Sequence, residues 1–301
     1  MHGKRLSVTV SRAAIRHLAL AAGFGGLALL GTGATATAAA PAVSQGLGLA
    51  PMHLVGVTSG HGGGATSATS SVCWQSSNWS GYALSGTSSG LPCVPSTGVT
   101  YTSVTATWTV PKVSISSRGS SYSAVWTGID GFTNSNLIQA GTEQDVLSGT
   151  PHYDAWWEIL PAAETVIPSV PVNPGDSITV NIHQASGSTW SISLTDNSTG
   201  KNFTTSQSYS GSGTSAEWIV EAPQVGGRVA TLANYGSATF DKGTVNGSSV
   251  VLKAGTAGEI VQRSGFRTAV VSVPSTPDTG SPAGDGFAAA YGSSQPSAPS
   301  S

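Results

Sequence analysis

The stretch from Trp126 to Glu158 gathers residue types that can do proton-transfer chemistry. Trp126-Thr127-Gly128-Ile129-Asp130-Gly131, Leu137-Ile138-Gln139-Ala140-Gly141 and Tyr153-Asp154-Ala155-Trp156-Trp157-Glu158 follow one another as strand-like segments. Side chains alternate along a strand, so Asp154, Trp156 and Glu158 share one face, while Tyr153, Ala155, Trp157 and Ile159 share the other. The same parity unites Glu217, Ile219 and Glu221. Only 9% of the chain is charged. On a solvated face such acids would be plain surface charge, but acids set beside tryptophans point to a substrate groove with perturbed carboxyls and acid/base work.

Other catalytic patterns lack their context. Gly86-Thr87-Ser88-Ser89-Gly90 satisfies G-x-S-x-G but sits in a Ser/Gly loop, where the sequence predicts no strand before it and no helix after it. Asp278-Thr279-Gly280-Ser281 resembles an aspartic peptidase signature without the second copy that such a dyad requires, and is read as a turn. H-E-x-x-H is absent, and within the expected core only His152 and His183 are histidines, too few for a His-rich metal site, so neither metal nor cofactor is expected.

The elements that must position these residues are short runs rich in Val, Ile, Thr and aromatics, punctuated by Gly, Pro, Asn and Ser. Examples are Ser103 to Val110, Ser177 to His183, Trp190 to Thr195, Glu217 to Glu221, Ser249 to Leu252 and Thr268 to Val273. Such spacing predicts an all-β sandwich or barrel forming one domain over 72–292. Residues 293–301, rich in Ser and Pro, are expected to fray. Upstream, Lys4, Arg5, Arg12 and Arg16, an apolar run from Leu18 to Leu30 and Ala34-Thr35-Ala36-Thr37-Ala38 make a secretory signal peptide over 1–38. That run is broken by glycines and shorter than the roughly 20 apolar residues of a membrane span. The protein is therefore expected to be secreted, extracellular and free of the membrane after cleavage. Residues 39–71, mostly Gly, Ser, Ala and Thr, read as a flexible linker or propeptide outside the core.

All fourteen acids follow Ala38, whereas four of the twelve bases precede it, which leaves the mature chain near −6. That balance, with no basic run, disfavours nucleic acid as a partner. Cys73 and Cys93 are the two cysteines, and in an oxidising compartment they should pair. Asn78, Asn197, Asn202 and Asn246 each begin an N-x-[ST] tripeptide.

Ser77-Asn78-Trp79-Ser80-Gly81-Tyr82, the W-x-G-I-D-G block at Trp126, L-I-Q-x-G at Gln139, Y-D-A-W-W-E at Tyr153, Pro174-Gly175-Asp176 and A-E-W-I-V-E ending at Glu221 together resemble the glutamic peptidase family, the eqolisins or family G1. The resemblance implies a lectin-like β-sandwich of two antiparallel sheets and polypeptide substrates. It places the catalytic pair at Gln139 and Glu221, with Trp126, Asp130, Asp154, Trp156 and Glu158 lining or supporting the site. Glu217, the first acid of A-E-W-I-V-E, is not the family's catalytic position. Two positions depart from the pattern, Leu160 where a relative has tyrosine and Gln224 where it has a second glutamate; they bear on subsite preference and pH profile.

In that scheme Glu221, ionised above about pH 4.3, acts first as general base and then as acid on a water shared with Gln139, whose amide also stabilises the oxyanion. Activity is expected in acid and not towards neutrality, from a monomer. A tryptophan-rich sandwich with paired acids also describes a glycoside hydrolase or a carbohydrate-binding module. Gln139 discriminates, because neither alternative requires that amide.

Overall fold

The computed structural model describes residues 49–57, 72–115, 119–264 and 266–300. The signal peptide assigned to 1–38 and most of 39–71 lie outside the described residues. In chain order the strands are β1 Leu54–Val57, β2 Val72–Ser76, β3 Trp79–Ser85, β4 Ser103–Thr109, β5 Ala124–Ile129, β6 Ile138–Leu147, β7 Thr150–Ile159, β8 Thr165–Val166, β9 Ser177–Ser186 and β10 Thr189–Asp196. They continue as β11 Asn202–Ser208, β12 Ser215–Glu221, β13 Gln224–Val225, β14 Arg228–Val229, β15 Ser237–Val245, β16 Ser248–Ser249, β17 Ala257–Ser264, β18 Arg267–Pro274 and β19 Phe287–Tyr291. Among the described residues no helix is long and apolar enough to cross a membrane.

The strands form two layers. One runs β8-β7-β6-β5-β12-β3 and carries the residues singled out above. The other runs β1-β2-β17-β18-β19-β15-β4-β9-β10-β11. The predicted sandwich is thus present, with two differences from a pair of separate antiparallel sheets. β17 joins the layers through Gly258 opposite Gly81, and it pairs with β2 in parallel. The predicted strand Ser249 to Leu252 is only the two-residue β16, and Val251 stands 64% exposed.

The alternation of side chains decides what each face does. Between the layers lies the principal core, with Tyr82, Val125, Ile129, Ala140, Trp218 and Val220 from one sheet meeting Trp108, Ile178, Val180, Ile192 and Phe240 from the other. Two indole N–H groups tie the layers across it, Trp108 Nε1 to Thr142 Oγ1 at 3.0 Å and Trp218 Nε1 to Thr105 O at 3.0 Å. The opposite face of the first sheet carries a second apolar cluster, built on Trp79, Ala83, Ala124, Trp126, Trp156 and Ile219. A sheet exposed to solvent there would be polar; this one is paved with tryptophan.

Cys73 and Cys93 form the expected disulfide, with Cα atoms 5.9 Å apart, and Cys73 belongs to the second cluster. The bond closes a loop with a sequence separation of 20, which in the chain-entropy treatment stabilises the fold by about 3 kcal/mol. A Cys73→Ala/Cys93→Ala chain should therefore unfold at clearly lower guanidinium concentration than the parent, by about 3 kcal/mol. An unchanged midpoint would show that the loop is held by its packing alone.

Candidate active site

The strand register lays the site residues out in three transverse rows on the tryptophan-paved face. In the first, Gln139 stands between Gly128 and Glu158, and Gly128 also faces Glu217. In the second, Gly141 lies between Trp126 and Trp156, and Trp126 faces Ile219. In the third, Glu143 lies between Ala124 and Asp154, and Ala124 faces Glu221, which Trp79 flanks from β3. The parity reading of β7 and β12 is therefore correct. Gly141 has a steric reason to be glycine: a Cβ there would come within 2.6 Å of Trp126 Cβ and 2.9 Å of Trp126 Cα. The final glycine of L-I-Q-A-G lets β6 pack against the Val125 carbonyl and Trp126 of β5.

Glu221 is fully buried and held by neutral N–H donors. Trp126 Nε1 donates to its Oε2 at 2.9 Å, while Ala50 N at 3.2 Å and Asn78 Nδ2 at 3.4 Å donate to its Oε1. Burial pushes its carboxyl well above the usual range, and the neighbouring Glu158 adds to the rise; the three donors oppose it. The ordinary glutamate value expected from sequence thus does not hold in this arrangement. Gln139, also fully buried, donates from Nε2 to Glu158 Oε2 at 2.7 Å. Burial lifts Glu158 from 4.5 to about 8, with the Gln139 bond working against it. Gln139 Oε1, Glu158 Oε1 and Trp156 Nε1 are buried without a hydrogen-bond partner among the described residues. Unpaired buried polar groups are rare and call for a reactant, a water or a proton to complete them.

The remaining candidates fall into different roles. Asp154 is half-buried, its carboxyl raised by burial and lowered by His152. Asp130 is fully buried, but its hydrogen-bond partners lie elsewhere: Oδ1 accepts from Asn134 Nδ2, Thr214 N and Thr214 Oγ1, and Oδ2 from Tyr209 O–H and Gly213 N. It adopts φ 69°, an unusual conformation for a residue with a Cβ, and those bonds tie the end of β5 to the loop entering β12. Glu217 is fully buried, and burial raises it strongly, with Ser215 opposing the rise and the Asp130 charge adding to it. Asp278 takes the N–H of Gly284 on Oδ1, which supports the turn reading of its motif, and it lies with Asp241 and Asp285 in an acidic group whose oxygens are within 4.8 Å of one another.

Sequence reasoning missed three contributors. Asn78 and Trp79 reach Glu221, the first by hydrogen bond and the second by strand pairing, and Trp79 sits edge-on to Trp126 with ring centroids 4.9 Å apart. In sequence their motif carries only the family resemblance. Ala50 comes from the stretch read as linker or propeptide, where Leu49 is 2% and Ala50 7% exposed. Asn78, although it begins a glycosylation tripeptide, is fully buried.

The same arrangement of strands occurs in solved structures. Scytalido-glutamic peptidase, solved with a transition state analog inhibitor, superposes with a TM-score of 0.56 at 25% identity, covering 71% of this chain and 98% of that one. SCP-B, an eqolisin peptidase solved with the tripeptide Ala-Ile-His, gives 0.50 at 25% identity over the same shares. Fold and neighbours define a β-sandwich peptidase of the glutamic class. In sequence, aspergillopepsin-2 of Aspergillus niger is 32% identical over 200 residues, 58% of this chain and 67% of that protein. Scytalidopepsin B of Scytalidium lignicola is 31% identical over 150 residues, 48% of this chain and 51% of that protein. The chain belongs to the Peptidase A4 family, whose model matches residues 77–279. This membership sets aside the glycosidase and carbohydrate-binding alternatives.

The raised carboxyls have a consequence for stability. A carboxyl whose value is higher folded than unfolded binds its proton more tightly in the native state, so its contribution is fully present below the unfolded value and lost as pH rises through the folded one. For Glu158 that window runs from 4.5 to about 8, and Glu143, Asp145, Glu217 and Glu221 shift in the same direction. The melting temperature should therefore be highest in acid and fall steadily towards pH 8. A Tm that rises across that interval would contradict these environments.

Proposed function

We propose that the protein is a secreted acid endopeptidase in which Glu221 and Gln139 hold the attacking water between them. The observation that carries this reading is the pairing of Gln139 with Glu158. Gln139 spends one amide N–H on Glu158 Oε2 while its Oε1 stays without a partner among the described residues. Glu158, with its carboxyl at about 8, is a neutral acid at low pH and so can sit beside the amide and beside Glu221 without repulsion. A protonated Glu158 can also donate to Gln139 Oε1 and turn the amide N–H groups outward. Gln139 then serves whichever charge develops.

The reaction proceeds in two proton steps. Glu221 acts in its carboxylate form, which its N–H donors and the incoming water favour against the burial that raises it: it takes a proton from that water, whose oxygen attacks the scissile carbonyl carbon, and the oxyanion accepts an N–H of Gln139. One such donor is worth about 2.7 to 4 kcal/mol where it has been measured in other enzymes. Protonated Glu221 then delivers its proton to the leaving amine as the C–N bond breaks. Trp126 Nε1, 2.9 Å from Glu221 Oε2, fixes the carboxyl, and Oε1, which here accepts from Ala50 N and Asn78 Nδ2, is the oxygen that would meet the water. Asp154 and Trp156 flank the groove on β7, and Asp130 holds the loop that aligns β5 with β12.

Gln139→Ala and Glu221→Gln should each abolish proteolysis while circular dichroism stays that of the parent; near-normal turnover in either variant would refute the pair. Purified processed protein should cleave denatured casein at about pH 3 to 4 in the presence of pepstatin and a chelator. The rate should fall as pH rises towards about 8, where Glu158 gives up its proton. A rate maximum at pH 8 would sink the mechanism.

A further inference from the structure

Asp241, Asp278 and Asp285 come together away from the reactive face. Asp241 follows Phe240 on β15, and Phe240 packs in the core between the layers, so alternation turns Asp241 to the outer side of the second sheet. The strand then bulges between Asp241 and Thr244, with Lys242 at φ 53°. Beyond the bulge Gly243 N–H donates to Asp285 O at 2.9 Å. Asp285 itself precedes β19, whose Phe287 pairs with Phe240. Asp278 closes the loop before it, donating its N–H to Gly286 O at 3.0 Å and accepting Gly284 N–H on Oδ1. One carboxylate oxygen of each acid lies within 4.8 Å of the other two. Asp278 and Asp285 are each only 5% exposed, and the charges of Asp278 and Asp241 both act against that of Asp285. Gly284 N–H serves Asp278 Oδ1 and Lys242 N–H serves Asp241 Oδ1. Asp285 Oδ1 is buried without a hydrogen-bond partner among the described residues. An enclosed carboxylate oxygen in acidic company requires a cation or a proton to complete it.

We propose that Asp241, Asp278 and Asp285 form a calcium site that pins the loop ahead of β19 to β15. The donors are carboxylate oxygens alone, which suits a hard divalent cation. The spacing distinguishes the two common ones. Calcium–oxygen bonds of about 2.3 to 2.6 Å set opposite ligands about 4.6 to 5.2 Å apart, so one calcium reaches oxygens separated by up to 4.8 Å. Magnesium, at about 2.0 to 2.1 Å and strictly octahedral, spans only about 4.2 Å and would need the acids drawn closer. Asp241 is half-buried, so the open side of the ion is completed by water. The site lies on the outer side of the second sheet, whereas Gln139 and Glu221 lie on the first. Its ion therefore stabilises the sandwich and takes no part in hydrolysis.

The test titrates the chelator-treated protein with calcium chloride in a calorimeter at about pH 6.5. One site with a dissociation constant of about 0.1 to 1 mM is expected, the range of extracellular calcium modules. Calcium at about 10 mM should then raise Tm by about 3 to 10 °C, and magnesium at the same concentration by less than half as much. Asp285→Asn keeps the shape and removes a charge. It should weaken calcium binding at least about tenfold and lose nearly all of the Tm rise, while its metal-free Tm equals or exceeds the parent's because a repulsion is gone. Asp241→Asn, at the open side of the group, should show the same loss of calcium response and keeps the test in force if the buried substitution does not fold. A parent that takes up no calcium would mean that Asp278 and Asp285 are held by a shared proton, and would overturn the proposal. An equal Tm rise in parent and both variants would overturn it too, and an equal rise with magnesium would overturn the choice of ion. Binding and melting are read without substrate, so the outcome stands whether or not the peptidase reading does.

Discussion

Glu221 is sealed against tryptophan on a sheet face, and the groups that hold it are an indole, a backbone amide and an asparagine amide, all of them neutral. An ionised carboxyl in such a place loses its hydration without gaining a countercharge, so the proton becomes part of the structure. The same condition applies to Glu158, Glu217 and Glu143, which burial also raises. It suits the partner proposed for Glu221 to be an amide. Gln139 has nearly the shape of a glutamate and can both accept and donate, yet adds no charge to a face that cannot disperse it.

The fold accommodates this by separating its two apolar clusters. Alternate residues of β5, β6, β7 and β12 go to the core between the layers, and the intervening ones go to the site, so stability and chemistry are encoded on opposite faces of the same strands. Tryptophan suits the site face because it offers a large apolar body together with one N–H. Trp126 spends its N–H on Glu221 and Trp79 on Ala50 O. Asp130 works from outside the face, closing the loop between the β5 end and the β12 start, and so aligns the strands that bear the reactive groups.

What could be read from the chain divides along physical lines. The strands β4, β9, β10 and β12 carry local β-branched runs, and their existence was legible within a residue or a few of their ends. Which residues of β7 and β12 share a face followed from the period of two alone. Gln139 and Glu221 emerged from motif order, because they lie on distant strands, β6 and β12, and leave no local trace of belonging to one face. The same reason hid the Glu221–Trp79 register and the parallel pairing of β2 with β17. Leu49-Ala50-Pro51-Met52 is too short to show a period and lies among glycines and serines, so its burial was not visible. Ser249 to Leu252 misled in the opposite direction, with strand-like residues left in a loop after β16.

Asn78 connects these themes to biosynthesis. Its side-chain amide nitrogen is the atom to which an N-linked glycan attaches, and in the folded protein that nitrogen is enclosed and donates to Glu221, Ala50 O and Pro51 O. Before folding, Asn78-Trp79-Ser80 is an open acceptor tripeptide. In a secretory pathway that transfers glycans to nascent chains, folding and glycosylation therefore compete for one atom. A chain that loses that race carries a sugar where the site must close. The choice of production host thereby determines how much of the material can acquire its native centre.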